Sequence, residues 1–193
     1  AKPIVHRALD AGIRLFDTAN AYHEGESERM LGRLLKGQRD RVEIATKVGF
    51  GRVGGKQEGL APSRIRAALD ESLERLATDR VDLYYLHVPD YATPIEATLE
   101  AMKSVLESGK ARAWGVSNFA SWQILEIMHI ADRSGMPRPV VSQQMYNVLI
   151  RQLDIEYFKF TQRYPIHTTV YNPLAGGLLT GAPGKRFEKN TMY

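Results

Sequence analysis

The stretch Gly12-Ile13-Arg14-Leu15-Phe16-Asp17-Thr18-Ala19-Asn20-Ala21-Tyr22 decides how the rest of the chain is read. Ahead of it, Ile4, Val5, Ala8 and Leu9 recur at helical spacing, and Gly12 is a helix stop. Residues 13–17 then form a short apolar run that finishes on a carboxylate, with a polar and aromatic segment beyond it. The same sentence structure recurs along the chain. Runs at 42–47, 81–87, 111–117, 140–143 and 167–171 finish on or just before Lys47, His87, Ser117 with Asn118, Gln143 and Tyr171. Apolar runs alternating with helix-period segments predict parallel βα units.

The intervening segments support this. Ile65, Leu69, Leu73 and Leu76 share one helical face, and Pro62 marks the start of that helix. Thr93-Pro94-Ile95-Glu96 predicts a second start, with an N-cap hydroxyl, a proline at the first helical position and a capping-box glutamate; Gly109 ends that helix. Further helices are expected over 121–134, stopped by Gly135, and over 153–162. Repeated βα units build either a closed (β/α)8 barrel or an open doubly wound sheet. An open sheet gathers its chemistry at one switch point, whereas here all six runs end in chemically competent residues, as a ring of strand ends would. The expected class is therefore α/β, a (β/α)8 TIM barrel with six of its eight βα units visible, in one domain over 1–193.

Composition narrows the function. Of 193 residues, 44% are hydrophobic and 25% charged, the make-up of an ordinary globular domain. No apolar run approaches the ~18 residues that cross a bilayer, and the N-terminus lacks the order of a signal peptide, so no membrane association and a cytoplasmic location are expected. Zero cysteines remove disulfides, thiolate metal sites and cysteine nucleophiles. The net charge of +4 is spread along helices instead of gathered in a block, which argues against nucleic acid. Histidines and carboxylates lack zinc-site spacing, and no metal is expected.

Singly, Asp17 reads as a turn residue, Lys47 as a solvated strand end, His87 as a core histidine and Tyr22 as a loop aromatic. Together at one end of successive strands they form a chemical set. A tyrosine, with an ordinary pKa of about 10, becomes a useful proton donor near a cation that favours its phenolate. Lys47 can be that cation, Asp17 can hold it charged and aimed, and His87 can donate a hydrogen bond to a substrate oxygen. Such a set suits protonation of a carbonyl oxygen as hydride reaches its carbon. The literal match of Gly49-Phe50-Gly51-Arg52-Val53-Gly54 to a dinucleotide fingerprint is rejected, because no helix opens until Pro62. Residues 49–61 are expected to be a flexible loop over the active face.

The stretch 12–22, Ala45-Thr46-Lys47, Leu86 to Asp90, Gly115 to Phe119, Gln143 with Tyr146-Asn147, and Tyr171 to Gly177 resemble the aldo-keto reductases in order and spacing. The run from His87 through Pro94, with Met145-Tyr146-Asn147 and Asn172 to Gly181, is most similar to the aflatoxin-aldehyde reductase branch. The resemblance implies NAD(P)H-dependent reduction of aldehydes and ketones, with NADPH as cofactor and NADH left open. It also implies Tyr22 as general acid, Lys47 and Asp17 as its tuning pair, and His87 orienting the carbonyl. Ser117, Asn118 and Gln143 would hold the nicotinamide carboxamide and Tyr171 would stack on the ring. Asn172, Pro173, Leu174 and Gly176 lie where the family holds the cofactor's phosphates. Small carbonyl compounds are the expected substrates, and the branch implies a homodimer.

By the same resemblance, the first and eighth barrel strands and the region that binds the 2′-phosphate are absent from these residues. An isolated six-stranded arc exposes two strand edges, so the chain is expected to be part of a longer molecule. Two other readings stand beside the enzyme. One is a cofactor-binding regulatory subunit of the potassium-channel β type, in which asparagine is expected at the position His87 occupies here; the other is a catalytically silent truncated form.

Overall fold

The structure, a computed structural model, describes residues 2–181. Helix α1 (Lys2–Asp10) leads into strand β1 (Leu15–Asp17), followed by α2 (Glu26–Leu34) and β2 (Glu43–Val48). A small hairpin, β3 (Arg52–Val53) and β4 (Lys56–Gln57), precedes α3 (Pro62–Leu76), β5 (Val81–Leu86), α4 (Ile95–Glu107) and β6 (Ala111–Ser117). The chain continues through α5 (Ser121–Ser134), β7 (Val141–Met145), α6 (Tyr157–Arg163) and β8 (His167–Tyr171). The main sheet has six strands in the order β1-β2-β5-β6-β7-β8, every neighbouring pair parallel. Strand order follows chain order without reversal, so there is no switch point of the doubly wound kind. The sheet curls into a half-barrel of the expected (β/α)8 class, with its outer face packed by the helices.

Alternation along each strand sorts side chains between two environments. Ile44, Tyr84, Leu86, Trp114 and Val116 face the helices and are almost fully buried there against Ile65, Leu69, Met102, Ile124 and Met128. Each such side chain contributes about 1.5–3 kcal/mol through burial. Trp114 also donates its indole N–H to the Pro137 carbonyl at 2.9 Å, and the Tyr84 hydroxyl donates to the Ile65 carbonyl at 3.0 Å. The opposite face carries Ala45, Leu83, Tyr85 and Val141 as a separate small cluster, the lining of the barrel interior. Gly115 lets that lining close, because a Cβ there would stand 2.6 Å from the Val141 carbonyl and 2.9 Å from the Tyr85 ring.

Three local expectations are corrected, and one helix was not anticipated. Helix α2 was not legible as a periodic apolar segment, since its buried face carries Glu28 beside Leu31. That carboxylate is fully buried on Arg75 Nε at 2.6 Å and on the Thr46 hydroxyl. The capping box at 93–96 does not form: helix α4 starts at Ile95 with no side-chain cap, and the Thr93 hydroxyl donates to Asp90 Oδ2 at 2.8 Å instead. The helix expected over 153–162 is split into a 3-10 turn at Gln152–Asp154 and α6. Asp154 is drawn to Tyr146 and Arg151, and Glu156 takes a non-helical conformation while accepting from the Ser121 hydroxyl at 2.7 Å. Residues 49–61 hold the β3–β4 hairpin and are tied down by Glu58, so they are structured, and no helix opens before Pro62.

Gly135 stops α5 as expected, in the left-handed region at φ +63°, with the Met136 N–H returning to the Ala131 carbonyl at 2.9 Å. Among the described residues no helix is long and apolar enough to cross a membrane, and no group of three or more His, Cys, Asp or Glu could hold a metal ion.

Candidate active site

The half-barrel delivers its polar strand ends to one rim. Asp17 closes β1, Lys47 lies near the end of β2, His87 follows β5, Ser117 closes β6, Gln143 lies in β7 and Tyr171 closes β8. Because the strands are staggered, Lys47 pairs in register with Tyr85 while Ser117 pairs with Gln143, which steps the side chains around the curl. Tyr22 arrives from the 3-10 turn that follows β1.

Lys47 is the centre of the cluster. Its side chain is fully buried, and its ammonium donates to Asp17 Oδ2 at 2.6 Å and to the Thr18 carbonyl at 2.7 Å. It lies 5.1 Å from the centre of the Tyr22 ring and 5.5 Å from that of Tyr85, a cation held between two aromatic faces. Burial pulls the lysine below its ordinary value, against the opposing pull of Asp17. The Tyr22 ring meets His87 edge-on, centroids 5.8 Å apart, and Phe50 also packs on the imidazole, tilted, with centroids 5.0 Å apart. Burial and the Lys47 charge push His87 down to about 4, so it is neutral at ordinary pH. Its Nδ1 is buried without a hydrogen-bond partner. Asp17, Tyr22, Lys47 and His87 are therefore gathered in one place.

One expectation about their electrostatics changes. Lysine was expected to ease ionisation of the phenol, yet Tyr22 is pushed up to about 12 by burial and then by the negative charges of Asp17 and Tyr171. Burial is the larger cause, and Asp17, lying against the ammonium, adds its own negative charge at the same spot. Tyr22 consequently holds its proton at neutral pH.

The second group forms around Asn118, whose backbone is left-handed at φ +63°. Its amide donates to the His87 carbonyl at 3.0 Å and to the Ser117 hydroxyl at 3.1 Å, and its Oδ1 accepts from the Tyr171 hydroxyl at 2.6 Å. Gln143 reaches Asp17 Oδ2 only at 3.5 Å. Ser117 and Gln143 are buried, while Tyr171 is half-buried with its ring tethered at the hydroxyl. Beyond it, Asn172 accepts the Gly176 N–H on Oδ1 at 2.7 Å, and its own carbonyl accepts from Asn147 at 3.0 Å. Asn172, Ala175, Gly176 and Gly177 all have left-handed φ values, in the turn that follows β8 and includes Pro173 and Leu174.

Neutral amide and hydroxyl groups converging next to a tethered aromatic ring fit a flat carboxamide-bearing ring, and the left-handed turn fits a phosphate. Three contributors were not legible in the sequence. Phe50, Tyr85 and Glu58 carry no site motif, Phe50 appearing only in the rejected fingerprint, and the fold brings them beside the tetrad.

The family model of aldo/keto reductases matches residues 1–192. This chain belongs to the aldo/keto reductase family. It is 43% identical over 180 residues to the human protein named aflatoxin B1 aldehyde reductase member 2, covering 92% of this chain and 49% of that relative. It is 42% identical over 178 residues to human aldo-keto reductase family 7 member A3, covering 90% of this chain and 52% of the relative. It is also 35% identical over 189 residues to a probable voltage-gated potassium channel subunit beta of Oryza sativa, covering 96% and 58%. The chain spans about half the length of the curated relatives it matches.

Proposed function

We propose that this chain carries the catalytic face of an NADPH-dependent reductase of aldehydes and ketones, in which Tyr22 donates the proton. The observation that supports it most is the close packing of Tyr22, Lys47, Asp17 and His87 at one strand-end rim, with a protonated phenol against a neutral imidazole. When bound, a reduced nicotinamide supplies the hydride that a carbonyl carbon accepts.

The chain's own residues would do the rest. Tyr22 Oη gives its proton to the carbonyl oxygen as the C=O bond becomes C–O–H. Its high pKa at rest keeps the proton in place until a developing alkoxide, more basic still, takes it. Lys47 then offsets the phenolate charge left behind, and Asp17 keeps the lysine charged within its buried position. Neutral His87 orients the carbonyl oxygen as an uncharged donor. Ser117, Asn118 and Gln143 would hold the carboxamide, with Tyr171 against the ring and residues 172–176 at the phosphates. Asn118 already uses both amide hydrogens, so a carboxamide would meet its remaining acceptor lone pair or displace a present partner.

The names of the human relatives favour aldehydes as substrates, and the domain, cytoplasmic and homodimer readings belong to the same proposal. The likeness to plant channel subunits supports a second reading, a cofactor-binding regulatory subunit. A panel of aldehydes with NADPH and with NADH separates the two. Cofactor consumption matched one-to-one by alcohol formation is the expected result. Tight cofactor binding with no turnover on any aldehyde would favour the regulatory reading, and failure to bind either cofactor would favour a silent truncated form.

A further inference from the structure

Glu58 is a buried carboxylate that the proposed chemistry leaves unused. Only 2% of its side chain is exposed, although it follows an exposed hairpin. Its Oε2 accepts from the backbone N–H groups of Gly49, at 2.8 Å, and Gly51, at 3.4 Å. Those two N–H groups flank Phe50, the residue that leans on the His87 imidazole with ring centroids 5.0 Å apart. Its Oε1 accepts from the Asn20 amide at 2.7 Å and from Arg64 Nε at 2.8 Å. Asn20 lies in the segment between Asp17 and Tyr22, and its N–H donates to the Lys47 carbonyl at 3.2 Å. Arg64 is in turn fixed by Glu71 at 2.7 Å, so the carboxylate is anchored to α3. One side chain thus joins the loop after β1, the loop after β2 and the first turn of α3.

The geometry points to Glu58 as a positioning residue that clamps these two loops together and holds Phe50 as the apolar wall of the carbonyl pocket beside His87. This inference rests on the reductase reading for its functional half, while the clamp itself is a matter of structure. Phe50 is 55% exposed, so little but its backbone anchors hold it against the imidazole. A wall of this kind discriminates by substrate size: an aromatic aldehyde would lie against it, whereas a two-carbon aldehyde would not reach it. Glu58→Gln keeps the volume yet places an NH2 group opposite donors on one side of the clamp, which frees that side.

Two measurements on the purified protein decide the matter. The first is trypsin cleavage after Arg52 and Lys56, in the hairpin next to the clamp. Glu58→Gln is expected to speed cleavage there at least fivefold, roughly, while cleavage after Arg133 and Arg151 keeps its wild-type rate, because opening would be local. Unchanged cleavage at Arg52 and Lys56 overturns the clamp. The second compares KM for 4-nitrobenzaldehyde and acetaldehyde in Phe50→Ala, Glu58→Gln and the double variant. Each single change is expected to raise KM for the aromatic aldehyde about tenfold and that for acetaldehyde by roughly twofold or less, since Phe50 also packs on His87. The double variant should be no worse than Phe50→Ala, because both remove one wall. Effects that multiply, or that are equal for the two aldehydes, overturn the positioning role. A wild type that consumes no cofactor with any aldehyde refutes the reductase reading alone, and the trypsin rates then decide the clamp by themselves.

Discussion

Replacing Asp17 with asparagine probes the contact around which the site is organised. The substitution keeps size and one acceptor oxygen but removes the charge that faces a fully buried ammonium at 2.6 Å. The ammonium stays charged, so asparagine keeps a charge-assisted hydrogen bond and loses only the ion-pair attraction, a cost of roughly 1–2 kcal/mol. Breaking a wholly buried pair costs about 3–5 kcal/mol, but Asp17 is 37% exposed and solvent screens part of that loss. The Thr18 carbonyl at 2.7 Å remains as a second acceptor, which again favours the lower range. Urea unfolding should therefore shift to a lower midpoint at unchanged slope, by about 1 M if the slope is near 1–2 kcal/mol/M. Lys47→Met should couple to it, the double variant losing less than the sum of the singles. Stability of Asp17→Asn within about 0.3 kcal/mol of wild type would refute the view that the pair holds the rim together.

Three further outcomes follow from the same structure. His87 should titrate near pH 4 by NMR; its folded value lies below the unfolded one, so stability falls as pH drops from about 6.5 toward 4, by on the order of 3 kcal/mol if this group acts alone. A folded-state value near 6.5 would refute its burial against Lys47. Gly115→Ala should destabilise by about 2–3 kcal/mol in the same urea assay, because the new methyl meets the Val141 carbonyl at 2.6 Å, and a neutral result would show that the lining is looser than described. Glu58→Gln should free the hairpin and widen the pocket as set out above.

Much of this architecture is written in the strand periodicity. Short apolar runs that finish on or just before Asp17, Lys47, His87, Ser117 and Tyr171, alternating with helix-period segments, identify both the parallel units and the rim, because the end of a strand is a local property. Helix α2 is hidden for the opposite reason. Its burial depends on Glu28 finding Arg75, 47 positions away, so an apolar scan passes over it. Glu58 and Phe50 are hidden likewise, since their partners lie on other loops and no spacing links them to the tetrad. The tuning of Tyr22 differs from the expectation because its shift is set first by burial and then by Asp17 and Tyr171, which only coordinates can weigh.

The central claim is that Tyr22 gives up a proton as a carbonyl is reduced, and the most direct test measures steady-state NADPH consumption beside NADPH affinity in wild type and Tyr22→Phe. The variant keeps the ring against Lys47 and His87 and loses only the hydroxyl. Turnover should fall by about 10²–10⁴-fold while the NADPH dissociation constant stays within roughly twofold. Turnover in Tyr22→Phe that matches wild type, at equal cofactor affinity, would contradict the account.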